Sequence, residues 1–323
     1  MKAVVQDRYG DTGVLALREI PEPVPGEREV LVRVAAAGLD AGVWHLMTGL
    51  PLLLRLMGYG LRAPRNAVRG REAAGRVVAT GPGVTRFKAG DEVFGYCESA
   101  FAEYAAVPED RLLPRPAGLT PEQAAALPIS AVTALQAVRD RGRVTAGMRV
   151  LVIGAGGGVG TYAVQLAVAA GARVTGVCST GKAERVRSLG AGTVLDYTAE
   201  DITARPERYD VIVDTGGSRP LRGLCRMLAP RGTLVIVGGE TSGRLLGGTD
   251  RVLRAALLSP FTRRRLLGLM ASERTEDLAY VAGLAEHGEL TPVLGGVHPL
   301  AEVPELIDRF RSGGLCGKAV VVP

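Results

Sequence analysis

Residues 149–169 read RVLVIGAGGGVGTYAVQLAVA. An apolar strand at 149–153 runs directly into the glycine-rich loop 154–160, and a helix at 158–170 follows. Glycines let a backbone turn tightly and approach a pyrophosphate, while the helix N-terminus supplies unpaired N–H groups and the positive end of a dipole. This stretch therefore predicts a dinucleotide-binding strand–loop–helix unit, whereas a glycine-rich string standing alone would indicate only a turn.

The sequence after this loop alternates apolar strands with helices. The predicted strands occupy 173–177, 193–196, 210–214, 233–237 and 263–270, with helices at 182–189 and 219–229. Alternation of this kind is typical of a parallel sheet that helices cover on both faces. The central part of the chain is therefore predicted to be α/β, with a doubly wound parallel sheet.

The two ends of the chain have a different texture. Short β-branched runs at 29–34, 75–79 and 91–94 are separated by turn clusters such as 21–26, which predicts a compact antiparallel β domain. The tail returns to this texture, with a last predicted strand at 318–322. We expect one domain from 1–124 completed by 271–323, and a second domain at 125–270.

The strand at 173–177 indicates which dinucleotide is bound. An NAD site usually carries an acidic residue about 20 positions after the loop, where it holds the ribose 2′-hydroxyl. This chain has Cys178 there, followed by Ser179, Thr180 and Lys182. With no carboxylate to repel a 2′-phosphate and a lysine to neutralise one, the sequence predicts NADPH. The alternative is that Lys182 only decorates a helix start, where a cation is mildly unfavourable.

Composition excludes several other classes of protein. The 39 basic and 33 acidic residues are scattered, and 263–265 is the one tight basic run, so we expect no nucleic-acid partner. The four cysteines stand far apart and form no metal-binding or disulfide pattern. The start lacks an apolar segment, and glycines interrupt the uncharged stretch 150–172, so we expect a cytoplasmic protein without a membrane partner.

Further motifs carry a family resemblance along nearly the whole chain. They are the opening MKAVVQ, VPGEREVLVRV at 24–34, GDEVF at 90–94, FAEYA at 101–105, the glycine-rich loop, and GKAVV at 317–321. Together they resemble the medium-chain dehydrogenase/reductase superfamily, in its zinc-free quinone oxidoreductase branch. The resemblance implies a GroES-like catalytic domain made from both chain ends, an inserted Rossmann domain, and a cofactor in the cleft between them.

The resemblance also implies roles for individual residues. The pyrophosphate would be lined by Ala155, Gly157, Gly158, Val159 and Gly160, and the 2′-phosphate would be gripped by Ser179, Lys182 and Tyr197. Residues near the nicotinamide would be Thr133, Thr215, Gly238, Gly239 and Lys318, the last as a basic group facing the cofactor cleft. For Thr133 the alternative is a helix-interior threonine that bonds back to a carbonyl.

The zinc ligands of the superfamily are absent from their expected positions. Tetrahedral zinc needs Cys, His or carboxylate ligands, and this chain has Leu39-Asp40, Gly70-Arg71-Glu72 and the neighbourhood of Ile129 there, without a four-cysteine lobe. We therefore expect no metal. Without a Lewis acid to polarise an alcohol oxygen, hydride addition to an already conjugated acceptor is favoured.

The segment that follows the predicted strand at 29–34 departs from its relatives. Where they often have Asn-Pro-x-Asp, this chain has Asp40-Ala-Gly-Val43. Asp40 could be a proton donor whose pKa is raised in an apolar pocket, or a solvated turn residue. His45 could be a general acid or a packed histidine. We expect Trp44, Tyr59 and Tyr96 to line the substrate pocket.

These observations favour an NADPH-dependent reductase of small quinones or α,β-unsaturated carbonyls. Two alternatives remain open: a tailoring reductase or zinc-free alcohol dehydrogenase with a dedicated substrate, and an NADPH-binding partner protein with little turnover. The strand at 263–270 has no later parallel strand to cover it, and an uncovered edge invites pairing. We therefore expect a homodimer joined through this strand, the alternative being a monomer whose edge the basic run protects.

Overall fold

The computed structural model describes residues 1–238 and 249–323. Its strands are β1 Lys2–Val5, β2 Ala16–Glu19, β3 Glu29–Gly38, β4 Glu72–Thr80, β5 Glu92–Tyr96, β6 Tyr104–Pro108, β7 Leu112–Pro114, β8 Arg149–Ile153, β9 Arg173–Cys178, β10 Thr193–Asp196, β11 Tyr209–Asp214, β12 Leu228–Ile236, β13 Arg265–Gly268, β14 Leu294–Pro299 and β15 Lys318–Val322. Its α-helices are α1 Ala41–Thr48, α2 Pro121–Ala125, α3 Ser130–Leu135, α4 Gly158–Ala169, α5 Ala183–Ser188, α6 Leu221–Met227, α7 Thr249–Leu258, α8 Thr275–Glu286 and α9 Val303–Arg311.

The chain divides into two compact units. The chain-end unit comprises Met1–Val132 and Glu273–Pro323, and the central unit comprises Thr133–Ser272. The first division falls inside α3 rather than before residue 125, because α2 packs against β3 and β4 of the chain-end unit. Thr120 and Gln123 form a capping box at the start of α2.

The central unit contains the predicted parallel sheet. Its strand order is β10-β9-β8-β11-β12-β13, and every neighbouring pair is parallel. Counted from β8, this is the order 3-2-1-4-5-6 of the dinucleotide-binding Rossmann fold. Buried aliphatic side chains of β8, β11 and β12 form the core of the unit. The α/β prediction is confirmed.

The uncharged stretch 150–172 folds as a strand, a tight loop and a helix. Strand β8 is buried in the centre of the sheet, and α4 packs against β8 and β9. The apolar character of residues 150–172 therefore reflects the burial of a parallel sheet on both of its faces. Within the part of the chain that the structure describes, no helix has the length and apolar character that crossing a bilayer requires.

The chain-end unit contains a mostly antiparallel sheet in the order β14-β15-β3-β4-β5-β7, with β6 also paired to β3. The last strand, β15, pairs antiparallel with β3 through Val320 opposite Gly38 and Val321 opposite Ala37. The tail of the chain thus completes the sheet that the first third begins, which is the GroES-like domain expected from the sequence. This arrangement brings the starts of β4 and β15 together with the end of β3.

The final strand of the central sheet is shorter than the predicted 263–270. Strand β13 covers Arg265–Gly268, after α7 and a 3-10 turn at Ser259–Phe261. The Leu266 N–H donates to the Ser259 hydroxyl at 3.2 Å, whereas the Leu269 N–H donates to the Ile236 carbonyl of β12. Because backbone groups alternate along a strand, the N–H of Leu267 also faces β12. The outward edge is therefore partly occupied by Ser259.

Candidate functional site

The glycine-rich loop makes a tight turn between β8 and α4. Gly154 has a φ of +79°, and the N–H groups of Gly154 and Ala155 both donate to the Val177 carbonyl of β9, at 3.1 and 2.9 Å. A Cβ on Gly160 would lie 2.0 Å from the Gly154 carbonyl oxygen. Only glycine permits this close approach, which holds the start of α4 against the ends of the strands.

The first turn of α4 is suited to an anion. Gly157 is its N-cap and provides no side-chain acceptor, and the first turn carries no acidic residue. The first N–H groups of a helix have no acceptor within the helix. Gly158, Val159 and Gly160 belong to this turn, so the residues expected to line a pyrophosphate are brought together at the positive end of a helix of twelve residues.

The residues expected at the 2′-phosphate lie at the carboxyl ends of β9 and β10. Ser179 precedes the 3-10 turn Thr180–Lys182, and the Tyr197 N–H donates to the Cys178 carbonyl at 3.2 Å. A Cβ on Gly156 would lie 2.7 Å from Cδ of Lys182. The aliphatic part of the lysine side chain therefore lies across the glycine-rich loop.

The prediction that no carboxylate remains at this edge is wrong. The register of β10 on β9 places Asp196 opposite Cys178. The Asp196 carboxylate accepts hydrogen bonds from the Thr180 hydroxyl and from the N–H and hydroxyl of Thr198, and these bonds lower its pKa. Asp196 is not found from the end of β9 alone, because in a parallel sheet the end of the neighbouring strand β10 reaches the same edge.

Thr215, just after β11, contacts the glycine-rich loop, and Gly238, just after β12, lies beside Thr215. The Thr215 hydroxyl donates to the Ile153 carbonyl at 2.8 Å, and a Cβ on Gly154 would lie 2.4 Å from that hydroxyl oxygen. The Gly238 N–H donates to the Asp214 carbonyl at 3.2 Å. Thr215 and Gly238 thus share one edge of the sheet. Gly239 lies outside the described residues, and Thr133 is largely buried in α3.

In the chain-end unit, Asp40 caps a helix and forms an ion pair. Its carboxylate caps α1 by accepting from the Gly42 N–H at 2.6 Å, and it pairs with the Arg71 guanidinium at 3.0 Å. Asp40 in turn raises the pKa of Arg71, and Arg71 also pairs with Glu273 at 2.6 Å. The Asp40 carboxylate thus caps a helix and pairs with Arg71, which is a structural role rather than the proton-donor role proposed from the sequence.

The positions of the superfamily's zinc ligands are filled by groups that do not fit zinc. Arg71 presents a cation where a histidine would be required, and it is already paired with Asp40. Among residues 1–238 and 249–323, no three His, Cys, Asp or Glu side chains are placed to hold a metal ion. Independence from zinc stays a prediction that solution experiments test.

His45 and Trp44 lie on α1, where they contact each other and the protein. The His45 Nδ1 is 2.8 Å from the Leu50 carbonyl, and its ring packs edge-on against Trp44. The Arg311 guanidinium lies 4.4 Å from the Trp44 ring centroid, and the indole packs against the hydrophobic core. Trp44 is therefore packed within the chain-end unit, and its expected place in a pocket wall stays a prediction.

A cavity of about 540 Å³ lies within the chain-end unit. Apolar side chains of Val43, Leu46 and Met57 line it together with Tyr59, as expected for Tyr59. Several charged side chains also line it: Arg65, Arg69, Arg71, Arg111, Glu98 and Glu273. Its volume lies within the range of small-molecule sites, although its wall is more highly charged than most.

Asp40, His45 and Tyr96 are not among the residues that line this cavity. Tyr96 is fully buried, its hydroxyl donates to the Arg274 carbonyl at 3.1 Å, and burial raises its pKa. Its expected role in the pocket wall is therefore not supported. The arginines of the cavity were missed by sequence reasoning, because only the fold brings residues 65–71, 111 and 273 together.

Lys318 is buried rather than open to a cofactor. It is 1% exposed, its ammonium donates to the Ser130 hydroxyl at 3.0 Å, and it forms an ion pair with Glu72. Glu72 also accepts from the Ile129 N–H at 2.7 Å. Burial raises the pKa of Glu72, although the ammonium of Lys318 opposes that rise. The positive charge of Lys318 is therefore paired with the Glu72 carboxylate.

Two family models match this chain, one in its first third and one in its second half. The family model described as "Alcohol dehydrogenase GroES-like domain" matches residues 26–117, and the one described as "Zinc-binding dehydrogenase" matches 189–321. The chloroplast envelope quinone oxidoreductase homolog of Arabidopsis thaliana is 30% identical over 344 residues, covering 100% of this chain and 98% of its own. The NADPH-dependent alkenal/one oxidoreductase of the same plant is 31% identical, covering 100% and 80%.

Solved structures are similar over the same extent. The quinone oxidoreductase from Coxiella burnetii has a TM-score of 0.87 and 27% identity, covering 100% of this chain and 99% of its own. A mycobacterial protein in complex with NADPH has a TM-score of 0.83 and 25% identity, covering 100% of both chains. The similarity therefore extends through both units rather than through the dinucleotide motif alone.

The buried pair predicts a pH-dependent loss of stability. In Lys318→Met, Glu72 is left buried without its counter-charge, which should lower the free energy of unfolding by about 3–5 kcal/mol at neutral pH. Because the folded-state pKa of Glu72 is raised, the folded state holds the proton more tightly than the unfolded state. The deficit should therefore shrink as pH falls and grow as pH rises.

Urea unfolding at several pH values measures this effect. The double variant Lys318→Met/Glu72→Gln should recover part of the loss, and Lys88→Met, at an exposed lysine of the same unit, should stay within about 0.5 kcal/mol of wild type. A Lys318→Met protein as stable as wild type at every pH would contradict the structural role given to the pair.

Proposed function

This chain belongs to the medium-chain dehydrogenase/reductase superfamily, in its quinone oxidoreductase-like branch, and we propose that it is a zinc-free, NADPH-dependent oxidoreductase. It transfers hydride to a quinone or an α,β-unsaturated carbonyl compound. The observation that carries the proposal is the central strand–loop–helix, with an uncapped helix N-terminus and Lys182 lying across the loop. The names of the relatives, which include quinone and alkenal/one oxidoreductases, support the same reaction class.

The proposed cofactor site divides into a backbone part and a side-chain part. N–H groups of the first turn of α4 hold the pyrophosphate, and Thr215 and Gly238 lie at the same sheet edge for the nicotinamide ribose. Lys182 and Ser179 hold the 2′-phosphate. Asp196 opposes it, but its charge is already shared with Thr180 and Thr198. When bound, NADPH supplies the hydride.

The proposed acceptor is one that needs no metal. Arg71 and Lys318 are cations at or near the superfamily's zinc-ligand positions, and both are paired with carboxylates. A saturated ketone would lack the Lewis acid that polarises its oxygen, whereas conjugation lets an enone or quinone spread the incoming charge. We propose that the chain-end cavity binds this acceptor and that solvent supplies the proton, because Asp40 and His45 do not line the cavity.

Turnover measurements test this function. We expect NADPH to be oxidised by benzoquinone and by an enone at a rate that strong chelators do not change, with no stoichiometric zinc in the purified protein. Oxidation of simple alcohols with NADP⁺ should be slow. Chelator-sensitive alcohol oxidation with one zinc per chain would overturn the proposal. Tight NADPH binding without any turnover would favour the NADPH-binding partner protein instead. The cytoplasmic location stays a prediction.

Cofactor choice gives a second prediction. Lys182→Glu should weaken NADPH binding by about tenfold or more, which is about 1.4 kcal/mol, and should leave NADH binding less affected. Calorimetry with both dinucleotides measures the difference, and Lys88→Glu, at an exposed lysine of the chain-end unit, serves as the control. Wild-type protein that binds NADH as tightly as NADPH would refute the preference and would point to Asp196 as the controlling charge.

We also propose that the protein is a homodimer joined beside β13. This strand is at the edge of the central sheet, and large apolar side chains stand exposed on the preceding segment, at Leu257, Leu258 and Phe261. Because Ser259 occupies part of the strand edge, these side chains carry more of the proposed contact than the open backbone does. Pairing two copies of one surface satisfies a two-fold axis.

Light scattering at micromolar concentration tests the dimer. Phe261→Glu should convert dimers to monomers, because it places a charge in the apolar contact. Val24→Glu is the matched control, since both side chains are 87% exposed, and it should leave dimers intact. A monomeric wild-type protein, or a Phe261→Glu protein that stays dimeric, would contradict this interface.

A further inference from the structure

Arg69 is a buried cation without a partner. It is 4% exposed, its Nε atom is buried with no hydrogen-bond acceptor, and none of the described residues forms an ion pair with its guanidinium. The half-buried Arg71 of the same cavity wall behaves differently, since it pairs with Asp40 and Glu273. Arg111 also pairs with Glu273. Arg65, which also lines the cavity, forms no ion pair with a described residue, but it is exposed, so Arg69 is the buried guanidinium of this wall that lacks a partner.

The backbone around Arg69 is firmly held. Its N–H donates to the Val4 carbonyl at 3.2 Å, and its carbonyl accepts from the Phe101 N–H at 2.8 Å. Gly70 follows with a φ of +101°, and a Cβ there would lie 2.6 Å from the Phe101 nitrogen. The segment is thus fixed on both sides, and the guanidinium is carried to the cavity by a rigid backbone rather than by a mobile loop.

An unpaired buried guanidinium is unfavourable for folding alone. Burial lowers the pKa of Arg69 to about 10, so the group is still charged at neutral pH. Nearby groups do not satisfy it: the Tyr9 hydroxyl donates to the carbonyls of Tyr59 and Gly60, and the exposed Glu98 makes no ion pair with Arg69. The arginine lines the cavity, so its charge is available to a ligand there.

We propose that Arg69 binds a carboxylate group of the acceptor, so that the substrates of this protein are anionic enones or quinones. A planar guanidinium can donate two parallel hydrogen bonds to a carboxylate. Val43, Leu46 and Met57 then contact the apolar body of the molecule. This inference rests on the proposed function, because it takes the ligand of the cavity to be the hydride acceptor.

The charges of the cavity favour a carboxylate over a phosphate. Glu98 and Glu273 line the same space and would repel a dianion more strongly than a single negative charge. Arg71 and Arg111 are engaged by Glu273, which leaves one unengaged guanidinium in the buried part of the wall. One buried positive charge matches one carboxylate.

Binding of a matched acid and ester tests the site without requiring turnover. The probes are 4-oxo-4-phenylbutanoate and its methyl ester, measured by calorimetry on the full chain with and without NADP⁺. Wild-type protein should bind the acid about tenfold more tightly than the ester or better, as expected for a charge-assisted hydrogen-bonded pair. Arg69→Met should abolish this preference and Arg69→Lys should retain part of it. Arg33→Met, at an exposed arginine of the same unit, should change nothing.

Kinetics with the conjugated analogues tests the role in the reaction. Arg69→Met should raise KM for 4-oxo-4-phenylbut-2-enoate by about tenfold or more, with kcat and the KM for its methyl ester little changed. Acid and ester bound equally by wild type, or an acid preference that survives in Arg69→Met, would overturn the inference. Inorganic phosphate that binds as tightly as the acid would overturn the assignment of a carboxylate.

The outcomes separate this inference from the proposed function. Turnover of the ester without any acid preference would refute the carboxylate site and leave the reductase intact. An acid preference that depends on Arg69 but is accompanied by no turnover would refute the reaction and leave the binding site. Should Arg69→Met fail to fold, Arg69→Lys replaces it, because lysine keeps the charge but lacks the planar fork of arginine. A weaker affinity for the acid than in wild type would then support the site, and an unchanged affinity would contradict it.

Discussion

The buried pair of Lys318 and Glu72 is the interaction on which the chain-end unit depends. It joins the start of β15 to the start of β4, and Ser130 and Ile129 attach the entry to α3 to the same point. Gly38 makes the approach possible, because a Cβ there would lie 2.5 Å from the Glu72 carboxylate. Strand β15 is therefore held beside strands from the first third of the chain. Residues 133–272, which lie between these segments in the sequence, form a unit of their own.

Charge pairing around this point separates structural cations from a functional one. Lys318 and Arg71 each have a buried or half-buried carboxylate partner, so their charges are satisfied inside the protein. Arg69, two residues from Arg71, has none among the described residues. Satisfied pairs of this kind hold a shape but cannot also activate a substrate oxygen, which is why the proposed acceptor must be conjugated in its own right.

The features predicted from the sequence are those that local pattern determines. Apolar strands and glycine spacing each depend on neighbours within a few residues, and the structure confirms the parallel sheet and the loop. The errors concern contacts between distant residues. Asp196 reaches the edge beside Cys178 only through strand register, and the burial of Tyr96 against Arg274 joins residues far apart in the chain.

This difference explains why a cofactor is easier to predict than a substrate. The pyrophosphate site is made of backbone N–H groups, so glycines at fixed spacing suffice to specify it. Substrate choice depends on side chains that the fold tolerates but does not require. Arg69 is such a side chain: the backbone bonds of its segment would form with any residue other than proline at that position, so folding alone gives no reason for a buried, unpaired charge. A ligand of opposite charge does.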